Sequence, residues 1–390
     1  MSGYDLLKGV RVLEVAALGP SSLGGYLADM GADVVKVEDA AGDGVRYAGN
    51  PAMGSPNGES LLHLRWNRGK KSIQLDLKAD ADRATFLQLV AKADVVIEGM
   101  RAGILDRLGF GFDDLRKVNP AIVFTSISGL GSYGPYAEMG SHGPSFDAFG
   151  ALSSVNPYAL TKEERSKSNV TPVGMHAMGL YAALGTLAAV IKARATGEGS
   201  RVEVAAADCA AHWLPDAIDA ALNPDKCFDR PGFLGGKGKQ ACWPRLWRYE
   251  CRDGRGIFFQ AFSPKFWDRF CKAVDRADLA EAYRTDRDVN DVDEDVHDEL
   301  VKLFATRNFA DWMALFGEHD VPAGAANSRE TLTSDPHFLA RDNVYEVELP
   351  GAGGLRLTTT PVKVAGQKFA PDLAPTAGKD QKAVLADWLG

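Results

Sequence analysis

The residues of this chain that could do chemistry gather in its first half. His176 stands at the start of a long apolar segment, where an imidazole can serve as a base or an acyl acceptor. His142 and Asp147 lie in a Gly- and Ser-rich stretch, 140–147, of the kind that closes over a pocket and can carry a proton-transferring pair. Five cations, Arg46, Lys70, Lys71, Arg101 and Arg107, fall near the ends of expected strands. Open α/β sheets bind ligands there, and such a set suits a phosphate-bearing ligand. Each group also has a plainer account. Taken singly, His176 is better read as a helix-start histidine with a backbone partner, His142 and Asp147 as polar loop residues, and any one cation as a solvated surface charge.

Composition bounds the scaffold that must position them. With 390 residues, 45% hydrophobic and 25% charged, the chain is of ordinary globular make-up and long enough for two domains. A formal net charge of -8 argues against nucleic acid as a partner, so an anionic ligand must be met by local cationic patches. Cys209, Cys227, Cys242, Cys251 and Cys271 are odd in number, without a C-x-x-C pair or a histidine at metal spacing. They are expected to be reduced core thiols, with no disulfide framework and no metal site. The first residues lack a cationic region followed by a long apolar run, and no window is expected to span a membrane, which predicts a cytoplasmic protein.

The first third alternates in α/β fashion. Residues 10–15 and 32–38 are short β-rich runs flanking a helix at 21–30, which makes a Rossmann-like βαβ unit. Gly19, Gly24 and Gly25 do not have G-x-G-x-x-G spacing, so a nicotinamide or flavin dinucleotide is poorly supported. Further strands are expected at 72–77, 94–98, 121–126 and 201–204, with helices at 80–92 and 179–194. Beyond an irregular stretch at 223–243, residues 245–262 alternate like a hairpin, 266–316 read as mostly helical, and a last helix covers 379–389. The expected architecture is an α/β fold: a Rossmann-like large domain over 1–222, a smaller inserted α+β domain over 223–325, and a return to the large domain over 326–390.

Several blocks carry a resemblance that runs almost end to end. Residues 27–38 read L-A-D-M-G-A-D-V-V-K-V-E, 67–77 read N-R-G-K-K-S-I-Q-L-D-L, 98–109 read E-G-M-R-A-G-I-L-D-R-L-G, and 127–136 read I-S-G-L-G-S-Y-G-P-Y. With the segment 171–204 and the D-P-H-F-L-A-R run at 335–341, these resemble the family III CoA-transferases of the CaiB/BaiF type, the group of formyl-CoA transferase, carnitine CoA-transferase and α-methylacyl-CoA racemase.

The resemblance implies a reaction and also marks where this chain departs from it. Family members move CoA between carboxylic acids through an Asp that becomes acylated, in a pattern like A-D-x-x-A-G-L-Y-A-A. Here the run from Gly179 to Ala183 fixes the register and the Asp position is Met175. A thioether cannot form the mixed anhydride that this covalent route needs. Gly99 and Met100 replace the family's Asn-Phe, which removes an amide and an aromatic edge, and Ser145 and Phe146 stand over the His-Asp of the racemases. By resemblance, Arg46, Lys70, Lys71, Arg101 and Arg107 become candidates for the phosphates of CoA, taken as a substrate and not as a bound cofactor. An interlocked dimer is also implied, with acyl-CoA and a carboxylic acid as ligands and no nucleic acid or membrane. Some members are heteromers in which one subunit keeps the Asp, as in the succinyl-CoA:benzylsuccinate type, and this chain fits the Asp-less partner. Trp243, Trp247 and Phe262 are then candidates to line an aryl-acid pocket. Two alternatives stay open: an autonomous acyl-CoA transferase or racemase using His176 or Asp147, and a non-catalytic CoA-binding protein.

Overall fold

Valine and isoleucine runs with apolar residues at consecutive positions make strands that can be covered on both faces, which is the condition for a parallel sheet. A computed structural model describes residues 3–48, 59–152, 172–226, 243–282, 294–350 and 353–390. Its contacts divide it into two compact units, Met1–Leu214 with Asp342–Gly390, and Pro215–Arg341. The second unit is wider on both sides than the expected insertion at 223–325.

In the first unit, strands β1 (Arg11–Ala16), β2 (Asp33–Glu38), β3 (Lys71–Gln74), β4 (Val95–Gly99), β5 (Val123–Ser128) and β6 (Ser200–Ala205) form one six-stranded sheet in the order β3-β2-β1-β4-β5-β6. Every pairing is parallel. Successive side chains point to opposite faces. Val12, Val34, Val95 and Val123 therefore enter one core, while Leu13, Val35, Val96 and Phe124 enter the other. Helices α1 (Ser21–Asp29), α2 (Leu61–Trp66), α3 (Asp80–Val90), α4 (Ile104–Arg107), α5 (Phe112–Val118), α6 (Pro144–Phe149), α7 (Val173–Thr196) and α8 (Ala206–His212) complete this unit's N-terminal part. The α/β expectation agrees with this sheet. The strand expected at 72–77 is shorter, and α7 begins before the expected residue 179, so that Met175 and His176 fall in its first turn.

Among the described residues, α7 is the helix long and apolar enough by composition to cross a membrane. Here it is a core helix: Ala177, Met178, Ala182, Ala189, Val190 and Ala193 are buried, and Thr186 Oγ1 lies 2.7 Å from Thr125 Oγ1 of the sheet. Its outer stripe is different, with Leu180, Leu184 and Ile191 exposed at 50%, 68% and 71%.

The last residues return to the sheet at β3. Ser72 N–H donates to Asp380 Oδ2, Gln74 N–H to Gln381 Oε1, each at 2.9 Å, and Asp380 N–H to Ser72 O at 3.0 Å. The C-terminal helix Gln381–Leu389 thus covers an edge whose backbone groups would otherwise lack protein partners.

In the second unit the expected hairpin is present as β7 (Trp247–Glu250) and β8 (Gly256–Phe259), and a third antiparallel strand, β9 (Ala323–Ala326), joins it. Tyr249, Phe259, Trp267, Phe270, Phe304, Trp312 and Phe316 fill its core. Trp247 packs against that core, and Phe262 is 49% exposed. Cys209, Cys251 and Cys271 are free and buried, with their thiols pushed up by burial to about 11, 11 and 12, whereas Cys227 and Cys242 lie outside the described residues.

Candidate functional site

The strand order reverses direction between β1 and β4, and the carboxyl ends of strands at such a switch leave a crevice that connecting loops cannot fill. A cavity of about 510 Å³ opens there, within the first unit. Its walls are the turn after β1 (Ala17, Leu18, Gly19, Pro20), the end of β4 (Gly99, Met100, Arg101), the end of β5 (Ser128, Gly129), the loop from Met139 to Gly143, and Met175 and Met178 of α7. Trp66, Ile127 and Phe146 complete an apolar lining. Among the described lining residues there is no Asp, Glu or Cys. Arg101 and His142 are the ionisable ones.

Met175 faces this cavity across Gly19. A methyl group placed on Gly19 would come within 3.1 Å of Met175 Cγ and overlap Met178 Cε. The site needs glycine again at residue 99, where an added Cβ would overlap Pro20 Cβ and come within 2.5 Å of Ala16 Cβ. The replacement of the Asn-Phe pair is thus coupled to the packing of β4 against β1: no larger side chain fits at Gly99 unless the turn after β1 moves.

The five cations separate. Arg101 is exposed at the cavity mouth beside Gly140, and Arg107 is exposed on α4 with a 3.5 Å contact to Ala102 O; neither has an ion-pair partner among the described residues. Arg46 is buried and committed. It donates to Glu38 Oε1 at 2.5 Å and Oε2 at 3.1 Å, and to Pro375 O at 2.8 Å. Lys70 is buried on Glu14 Oε1 and Oε2 (2.9 and 2.7 Å), Ser21 O (2.7 Å) and Asn67 Oδ1 (2.9 Å). Lys71 begins β3, at the opposite end of the sheet from the cavity, and pairs with Asp33 at 2.8 Å. In this arrangement Arg46 and Lys70 have their donors engaged inside the protein, and Lys71 is at the amino ends of the strands.

Arg46 and Lys70 belong to a buried polar cluster that holds the cavity wall in place. Lys36 Nζ lies 3.0 Å from Glu14 Oε1 and 2.9 Å from Asp43 Oδ2, and donates to Ala16 O at 2.6 Å. Asp43 Oδ1 in turn accepts the N–H groups of Leu18 and Val45, at 3.0 and 2.9 Å. Leu18 has a φ of 58°, so the turn that lines the cavity is held in a left-handed conformation that leucine rarely adopts. Burial pushes the Lys70 amine down to about 8 against the pull of Glu14. On Lys36 burial also disfavours the charge, but Glu14 and Asp43 overcome it and its pKa is raised.

His176 and Asp147 stand behind the wall, since their neighbours Met175 and Phe146 line the cavity and they do not. His176 is half-buried and edges onto Trp66, with ring centroids 6.1 Å apart. Burial, then the Arg65 charge, lowers its pKa, with Asp147 opposing. Asp147 is 2% exposed; its Oδ1 accepts Gly174 N–H at 2.8 Å, and its Oδ2 has no hydrogen-bond partner among the described residues. Pro172 precedes α7 without capping it by a side chain, so Asp147 supplies the side-chain acceptor that the helix start lacks. His142 is exposed at the cavity rim, and its N–H donates to Ser145 Oγ at 3.2 Å. The irregular stretch expected at 223–243 is described only at 223–226 and 243.

Sequence reasoning missed Trp66, Ser128, Met139 and Met178 as cavity residues. For Ser128 a signal existed, because it is the last residue of a strand whose carboxyl end borders the switch point.

Comparison with known proteins gives a consistent outcome. The profile of CoA-transferase family III matches residues 7–381. The succinyl-CoA:mesaconate CoA-transferase of Haloarcula hispanica is 31% identical over 373 residues, 93% of this chain and 91% of that protein. The alpha subunit of the succinyl-CoA–L-malate CoA-transferase of Chloroflexus aurantiacus is 28% identical over 395 residues, 98% of this chain and 89% of that one. A crystal structure of Rv3272 from Mycobacterium tuberculosis superposes with a TM-score of 0.78 at 26% identity, covering 96% of this chain and 98% of that one.

Proposed function

The chain belongs to CoA-transferase family III, and from that premise we propose that it is the non-nucleophilic subunit of a two-chain CoA-transferase. It works beside a homologous chain that carries the acylated Asp, moving CoA from succinyl-CoA to a dicarboxylic or aryl-substituted acid. The observation that carries this reading is Met175. It stands in the register of the family's Asp, and it lines a cavity whose described walls hold no carboxylate. Transfer of CoA between acids needs an oxygen nucleophile that takes the acyl group and returns it as a thioester. A carboxylate does this, and a thioether does not.

The relatives support the coarser parts of the reading: two transferases named above use succinyl-CoA, and one of them is named as an alpha subunit. The reading of an autonomous enzyme using His176 or Asp147 has less support, because both lie behind the cavity wall. On the proposed role, this chain holds the polar head of the ligand at the mouth with Arg101, and Arg107 is the second cation free to meet a phosphate of CoA. The exposed stripe of Leu180, Leu184 and Ile191 is an apolar face of the kind a partner chain covers.

The test is to purify the tagged chain from its native host with its untagged partners and assay CoA transfer from succinyl-CoA. Activity confined to fractions that also contain an Asp-bearing homologue is the expected outcome. Full activity in the isolated chain would overturn the proposal.

A further inference from the structure

We propose that Glu203 is a positioning residue of the cavity: its carboxylate holds the roof, and through the roof it sets the seat of Arg101 at the mouth. The ligand in this proposal rests on the transferase reading above, whereas the roof does not. The segment between β5 and α6 supplies more of the described lining than any other, with Leu130, Ala137, Met139, Gly140 and His142 among its contributions. It leaves the sheet at Ser128 and closes on itself, since a Cβ added to Gly129 would overlap Ser141 Oγ. Between Tyr133 and Gly140 its backbone bonds are local, Ala137 N–H to Gly134 O at 3.3 Å and Met139 N–H to Tyr136 O at 3.0 Å. Tyr133, Tyr136 and Met139 are more than half exposed, so burial does little to fix the segment. A stretch with few buried contacts and few bonds to the scaffold opens readily unless something ties it.

The tie is Glu203. Strand register sets it in β6 beside Ser126 of β5, two residues before the roof departs. Val202 and Val204 pack against the core that contains α7, so alternation turns Glu203 to the other face. There Ser132 N–H donates to its Oε1 and Ser132 Oγ to its Oε2, each at 2.6 Å. Gly131, with a φ of 88°, makes the turn that delivers Ser132, and its N–H donates to Ser128 Oγ at 3.0 Å. Arg201, on the same face of β6, lies 3.6 Å from Asp106, and among the described residues no cation pairs with Glu203. The carboxylate is thus given over to the roof. At the roof's far end a Cβ on Gly140 would stand 3.4 Å from Arg101 Nη2, so the guanidinium lies against it. Neither Glu203 nor Ser132 is among the described lining residues. Glu203 therefore acts at a remove: it fixes Ser132, Ser132 fixes the roof, and the roof confines Arg101.

The test is limited chymotrypsin digestion of the full chain, with the cuts located by mass spectrometry, beside calorimetry with CoA on the same variants. Glu203→Ala loses both bonds. Cleavage after Tyr133 and Tyr136 is then expected to be at least about tenfold faster, the order of one charge-assisted hydrogen bond, because native-state cleavage follows the open population. CoA affinity should fall by up to about tenfold as Arg101 loses its seat. Glu203→Gln should bring both readouts back near the parent's, since its amide oxygen can accept the N–H while its NH₂ donates to the Ser132 hydroxyl. Glu203→Ala cut at the parent's rate, cuts rising equally at core aromatics such as Phe86 and Phe124, or a Gln variant as labile as the Ala variant would each overturn the proposal. So would a loosened roof with unchanged CoA affinity. CoA failing to bind even the parent chain would remove the transferase reading and the Arg101 half of this inference, while the digestion still decides whether Glu203 holds the roof.

Discussion

Asp147 Oδ1 accepts the backbone N–H of Gly174 at 2.8 Å, one residue before Met175. The side chain of a short helix thereby fixes the first turn of α7, and with it the Met175 side chain that packs beside Gly19 in the cavity wall. This is a positioning role for a residue that sequence alone offered as a catalyst. Asp147→Ala should cost about 0.5–2 kcal/mol, the range for loss of a helix cap, and Asp147→Asn less. Urea denaturation monitored by circular dichroism reads this directly, and an Asp147→Ala midpoint equal to that of the parent would dismiss the cap.

Met175→Asp restores the carboxylate at the cavity wall. With the isolated chain, transfer is expected to stay far below ordinary turnover, about 1 s⁻¹ or more, because the substituted side chain enters an apolar wall that favours its protonated form. Turnover at an ordinary enzyme's rate from this one substitution would show that the nucleophile was all the site lacked.

A repair that also adds Gly99→Asn does worse, not better. Its Cβ would overlap Pro20 and press on Ala16, and overpacking of this kind costs about 1–3 kcal/mol. Thermal denaturation of the single variant checks this: an unchanged melting temperature would mean that the turn after β1 yields without strain.

CoA binding in this chain is expected to depend on Arg101 and Arg107, the two of the five candidate cations with no ion-pair partner among the described residues. Arg101→Ala and Arg107→Ala should each lose about 1.5–3 kcal/mol of CoA affinity, roughly tenfold or more. Arg46→Ala is expected to lower stability instead, since it would leave Glu38 buried without its bidentate partner. Calorimetry with CoA separates the two kinds of effect, and equal CoA affinity in all three variants would end the assignment.

Acid should weaken the fold in a window set by His63. Its ring is fully buried, and burial, then the Arg46 and Lys36 charges, pushes its pKa down to about 3 from an ordinary 6.5. Between those values the unfolded chain binds a proton that the folded one refuses, so stability is complete above about pH 6.5 and falls as the pH drops towards 3. His63→Gln should flatten the slope of unfolding free energy between pH 6.5 and 4.5. An identical slope in parent and variant would assign the effect to other groups.

The parallel sheet was legible because its strands are Val/Ile-rich and bounded by Gly, Asp and Pro, and α7 because its apolar run has few alternatives. The roles of the cations were less so. Arg46 and Lys70 meet Glu38 and Glu14 only when β1, β2 and β3 lie side by side, a relation no local pattern displays. A hint was present: Glu14, Lys36 and Glu38 are charged residues inside strands otherwise apolar, and buried charges require partners. The place of Lys71 at the amino end of β3 was hidden because a strand's amino and carboxyl ends look alike in sequence until its boundary is known. His176 was legible as a helix-start histidine, and α7 does begin at Val173, although the apolar register alone placed the helix only from 179.

The bonds from Asp380 and Gln381 to β3 have a consequence for synthesis. Strand β3 is made early, yet the groups that cover its open edge lie 308 and 307 residues further along the chain. Until that later segment emerges, the edge of β3 is uncovered, a template for pairing with neighbouring nascent chains.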